Sequence, residues 1–151
     1  MMYEAEKVKD VLFSILEKEL SEEKITLLDL SVKGYGTKFK IILTIDKKGG
    51  ITAEDTKRWA ERLISIIKVE GLDIQSEIEV TSPGLDRELK SEREFIWAKG
   101  KKVKLITKDK EIKGLLLDFK ENLFYILFDK NLIKIPLEEV KKIKLCEMED
   151  I

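Results

Sequence analysis

The chain has 151 residues, enough for one medium domain or two small ones, and 29 basic against 30 acidic side chains leave a formal net charge of -1. With no histidine and a single cysteine, Cys146, an intramolecular disulfide and a Cys/His zinc site are excluded, and the commonest general base is missing. No apolar run of about 18 residues is present, so no spanning helix is expected, and the acidic, lysine-rich start Met1-Met2-Tyr3-Glu4-Ala5-Glu6-Lys7 does not read as a secretory leader. A cytoplasmic protein is expected.

From Ala5, the apolar positions Val8, Val11, Leu12, Ile15, Leu16 and Leu20 repeat with the spacing of a helix packed by one face. The period then becomes two. Leu28, Leu30 and Val32 alternate with polar residues, Phe39, Ile41, Leu43 and Ile45 alternate with Lys38, Lys40, Ile42 and Thr44, and Gly34-Tyr35-Gly36 supplies a turn for an antiparallel pair. Asp46-Lys47-Lys48-Gly49-Gly50 ends the second strand. It lacks the spacing of a phosphate-binding glycine loop, so a β-to-α turn is expected. Thr52 and Asp55 make the capping box of a helix with Trp59, Ala60, Leu63, Ile64 and Ile67 inward, closed by Gly71. A strand at Glu77–Thr81, with Ile78 and Val80 on one side, completes an α-β-β-α-β two-layer domain over residues 1–90.

Ser82-Pro83-Gly84-Leu85 suits a type II turn, with Pro83 presetting φ and Gly84 supplying a positive φ. It carries Asp86 and Arg87 out of a fixed bend. Ser91 and Glu94 then cap a short helix through Phe95, Ile96, Trp97 and Ala98, stopped by Gly100. Five strand signals follow: Val103 and Leu105; Ile112, Leu115, Leu117 and Phe119; Leu123, Tyr125 and Leu127 against Phe124, Ile126 and Phe128; Ile133 and Ile135; Ile143 and Leu145. Five strands in so short a stretch predict a closed barrel over residues 91–151, since an open sheet leaves unpaired edges. Gly114 marks a bend or bulge. Phe119, Phe124, Tyr125 and Phe128 are expected in its core, although aromatics among lysines can also stack RNA bases.

Charge is unevenly spread. Residues 1–91 carry 15 basic and 18 acidic groups, residues 92–151 carry 14 and 12. Lys99, Lys101, Lys102, Lys104, Lys108, Lys110 and Lys113 face only Asp109 and Glu111, so the first hairpin of the barrel is a candidate for RNA-backbone contacts. Solubilising edge charges are the competing explanation.

The string Thr-Ser-Pro-Gly-Leu-Asp-Arg at 81–87, following an acidic strand, resembles the signature of the ribosome maturation factor RimP family. Ile45-Asp46-Lys47-Lys48-Gly49-Gly50-Ile51-Thr52, Glu94-Phe95 and Gly100-Lys101-Lys102-Val103 extend the resemblance over most of the chain. A short helix followed by five bent strands is also the plan of Sm-like barrels, and the resemblance implies that fold for the second domain. It further implies a non-enzymatic, cofactor-free factor for late maturation of the free small (30S) subunit, touching 16S rRNA and ribosomal protein S12. Ser82, Pro83, Gly84, Leu85, Asp86, Arg87 and Asp46 would then be partner-binding residues. The family usually continues Asp-Arg with proline. Glu88 stands there instead, which is expected to loosen the segment.

Catalysis is the least favoured class. Cys146 has no acid-base partner suggested by sequence, Ser82 has no G-x-S-x-G elbow, and nothing in the spacing pairs Asp46 with Asp86. No metal site, small-molecule substrate or membrane association is expected. A monomeric assembly factor is favoured, and the alternative is a self-assembling Sm-like RNA chaperone that forms rings through strand edges.

Overall fold

A computed structural model describes residues 2–147. The chain divides into two compact units, one ending at Pro83 and the other beginning at Gly84.

In the first unit a short strand β1 (Tyr3–Glu4) leads into α1 (Ala5–Glu22), followed by β2 (Thr26–Gly36), β3 (Lys38–Asp46), α2 (Ala53–Val69) and β4 (Gln75–Thr81). The sheet order is β1-β2-β3-β4. β2 and β3 form an antiparallel hairpin, whereas β4 runs parallel to β3 because α2 carries the chain back across the sheet. The helical stripe Val8, Leu12, Leu16 and Leu20 meets Phe39, Ile41, Leu43 and Ile45 from the sheet and Trp59, Leu63, Ile66 and Ile67 from α2 in one buried cluster. The two-layer α/β arrangement expected from the periodicities is present, with β1 added. The hairpin turn differs from expectation. β2 continues through Gly34, Tyr35 and Gly36, and Tyr35 pairs with Lys38 across a two-residue loop. Gly36, at φ 76°, supplies the left-handed residue such a tight loop needs.

The second unit begins with α3 (Glu92–Trp97) and continues with β5 (Lys102–Thr107), β6 (Glu111–Lys120), β7 (Leu123–Phe128), β8 (Asn131–Pro136), a 3-10 turn (Leu137–Glu139) and β9 (Val140–Leu145). The five strands form an antiparallel sheet in the order β8-β7-β6-β5-β9. It is not closed into a barrel. The edge that closure was expected to remove is managed otherwise: the Leu89 N–H donates to the Ile143 carbonyl at 2.8 Å and the Leu145 N–H to the Arg87 carbonyl at 2.9 Å, so Arg87–Leu89 lies along the outer edge of β9. The opposite edge, β8, carries Lys134 and ends on Pro136, both of which blunt strand addition. Glu88 therefore does not loosen its segment; it bridges to Lys144 within this short pairing.

Phe95 from α3 packs on Phe119 and Phe124 with ring centroids 5.0 and 4.9 Å away, and those two lie 4.7 Å apart. The helix thus supplies the cover for the inner face of the sheet. Only two of the four aromatics expected in the core are there: Tyr125 is half-buried between Lys120 and Lys134, and Phe128 is 45% exposed. A bulge between Leu116 and Asp118 explains a second difference: Ile112, Gly114 and Leu116 alternate inward, and the extra residue leaves Leu117 at the surface and brings Phe119 back to the core. Gly114 is required by close approach. A Cβ there would lie 2.5 Å from the Leu127 carbonyl oxygen.

Among the described residues, no helix is long and apolar enough to cross a membrane.

Candidate functional site

The signature segment folds differently from the turn read in its sequence. The bend is centred on Leu85 and Asp86, closed by the Arg87 N–H donating to the Gly84 carbonyl at 3.3 Å. Gly84 is outside the positive-φ region, and a Cβ on it would meet Asp86 Oδ1 at an ordinary 3.5 Å. The type II turn at Ser82–Leu85 is therefore replaced by a turn one step along the chain. The consequence is that Leu85, 73% exposed, and Asp86 project from the tip.

Arg87 points the other way. Its Nε donates to Glu94 Oε2 at 2.8 Å, and the Glu94 side chain is only 5% exposed. Glu94 also accepts from the Ser91 hydroxyl and the Lys90 N–H, while its own N–H donates to Ser91 Oγ. The helix cap, the arginine and the edge pairing on β9 thus fix both ends of Arg87–Glu94. Sequence reading found Glu94 as a capping residue but missed it as the partner of Arg87, because the cap motif alone accounts for a glutamate at that position.

The seven lysines of the stripe separate by environment. Lys99 pairs with Asp118 at 2.8 Å, and Lys101 sits 4.8 Å from the centre of the Trp97 ring. Lys104 pairs with Glu111 at 2.7 Å, and Lys108 and Lys110 occupy the exposed turn between β5 and β6. Lys102, Lys104 and Lys113 lie on the outer face of the sheet, opposite Val103, Leu105 and Ile112 on the inner one. Register sets Lys104 against Lys113 on one side and against Lys144 on the other. Lys144 was not among the residues singled out from sequence. Its outward phase was legible from Ile143 and Leu145, but its place beside Lys104 depends on β9 pairing with β5.

Within this second unit the turn and the lysines meet. A cleft of about 540 Å³ is lined by Leu85 and Asp86, by Lys104, Lys113 and Lys144, by Leu145 at the end of β9, and by Cys146 and Glu147 after it. In the sequence, the signature and the basic stripe stand as separate features.

Asp46 lies in the first unit, half-buried at the end of β3 and paired in register with Thr26. The loop that follows it is anchored at the start of α2: Asp55 accepts from the Thr52 N–H at 2.9 Å and pairs with Lys47 Nζ at 2.9 Å. The Lys47 ammonium and the Thr52 N–H hold the Asp55 carboxyl down at about 2. Asp46 and Asp86 thus belong to different units.

No protein-family model matches the chain.

Proposed function

We propose that this protein is a non-enzymatic assembly factor, resembling the RimP family, that binds the free small ribosomal subunit and promotes its maturation through contacts with 16S rRNA and ribosomal protein S12. The observation that carries this is the pairing of the signature turn with three lysines in one cleft of the second unit. Such a surface offers an apolar tip and a carboxylate beside cationic side chains, which suits a partner made of both protein and RNA. The order β8-β7-β6-β5-β9 after a short helix supports an Sm-like plan for this unit, with the open seam between β8 and β9. In the first unit, Asp46 and the Lys47–Gly50 loop offer a second contact surface.

Ring assembly in the manner of an Sm-like chaperone is less well supported. A head-to-tail ring joins one edge of each sheet to the opposite edge of the next, and here the outer edge of β9 at Ile143–Leu145 is occupied by Arg87–Leu89. A monomer in the cytoplasm is the favoured form.

The test is the double variant Leu85→Ser, Asp86→Ala. Both side chains are exposed, so the melting temperature should stay within a few degrees of the parent while affinity for purified small subunits drops at least tenfold. Unchanged affinity would remove the turn from the binding site.

A further inference from the structure

We propose that the transverse row Lys113–Lys104–Lys144, across β6, β5 and β9, is the part of the second unit that binds the phosphodiester backbone of RNA, and that the exposed lysines of the β5–β6 turn are not. This rests on the RNA-binding role assigned above and narrows it to three side chains.

The row runs against the ordinary economy of a sheet surface. Directly opposed residues on neighbouring strands stand about 5 Å apart, and like charges there repel. Several cations elsewhere have a carboxylate partner: Arg58 with Glu23, Arg62 with Glu19, Lys47 with Asp55, Lys99 with Asp118, and Lys142 with Glu88; Lys33 faces Lys40 across β2 and β3, but as one pair and not as a row over three strands. In the row, Glu111 reaches Lys104, while neither Lys113 nor Lys144 has a carboxylate within salt-bridge distance among the described residues. A repulsive arrangement kept on a rigid, internally paired part of the sheet is suited to an incoming polyanion, which relieves the repulsion when it binds.

The chemistry favours phosphate over peptide. β5 and β6 are paired along both edges and Arg87–Leu89 covers β9 at Ile143–Leu145, so an extended peptide finds no free backbone beside the row. No arginine fork lines the cleft for bidentate carboxylate recognition, whereas lysines serve as point charges for phosphates. Asp86 and Glu147 also line the cleft, so its charge is patterned and the lysine row defines the side along which a backbone can run.

The experiment titrates the full chain with a labelled single-stranded RNA oligonucleotide from about 50 to 200 mM salt, with polyglutamate as competitor. Lys113→Gln with Lys144→Gln should weaken RNA binding at least fivefold at the low-salt end and reduce the log-log salt slope by about 0.7 for each phosphate no longer neutralised. The same pair should raise the melting temperature, because it removes like charges facing Lys104. Lys108→Gln with Lys110→Gln should leave affinity and slope unchanged. The proposal is overturned if the parent does not bind the RNA, if the turn variant takes the slope instead, if the row variant leaves it unchanged, or if polyglutamate displaces RNA at comparable charge concentration. Purified small subunits provide a parallel arm. RNA binding abolished in the row variant, with no subunit binding by the parent, would sustain the row and reject the ribosomal role. Subunit and RNA binding indifferent to the row variant would reject the row alone.

Discussion

At Arg87 the structural role of the 81–87 segment separates from the recognition role proposed for it. Its guanidinium is spent on Glu94, a carboxylate almost wholly removed from water, while Leu85 and Asp86 are left at the surface. Arg87→Ala leaves that carboxylate without its guanidinium partner and should cost about 3 kcal/mol of stability, read from urea unfolding. A loss under about 0.5 kcal/mol would mean that the Ser91 and Lys90 hydrogen bonds suffice. Two glycines make a paired prediction. Gly84→Ala should be tolerated within about 0.5 kcal/mol, because its φ is ordinary and its Cβ has room. Gly114→Ala should cost about 1–3 kcal/mol through overpacking against the β7 backbone. Pro-Gly suggested the opposite emphasis, since a dipeptide signals that a turn is near without fixing which peptide bond it is centred on.

Among the elements, those set by local periodicity were legible: both long helices, the Thr52 and Ser91 caps, and the five strands of the second unit. Features set by pairing were not. The pairing of β1 with Tyr35 and Gly36 requires two residues to meet across the sheet, and the bulge after Leu116 shifts which leucines face inward. Closure into a barrel was inferred from the need to protect edges, and the need is met here by a few residues of chain and a proline. The N-terminus of α2 makes a pH prediction. Asp55 titrates lower in the folded chain, at about 2 against 3.8, so its stabilising effect is nearly complete above about pH 4.5 and disappears as pH falls towards 2. The stability gap between the parent and Asp55→Asn should be constant from neutral pH to about 4.5 and shrink below that, in an acid series of urea melts. A gap that persisted unchanged at pH 2 would count against the Lys47 pairing.

On the scale of the whole molecule, each unit has its own core, the first built from helix and sheet, the second from α3 and one sheet face. Between the end of β4 and the edge pairing on β9, Gly84, Leu85 and Asp86 are exposed, so limited proteolysis should cut there before it cuts at Arg87–Leu89. In the sequence, the proposed function rests on the resemblance of residues 81–87 and their neighbours alone, because a chain of net charge -1 does not reveal a basic row formed by three strands from different parts of its sequence. The central claim is association with the free small subunit. Its most direct test is co-sedimentation of the full chain with purified free small subunits and, separately, with joined ribosomes, at near-physiological salt. The protein should travel with the free small subunit and stay behind with joined ribosomes. Sedimentation of the protein alone as a multimeric ring, with none in the small-subunit fraction, would contradict the account.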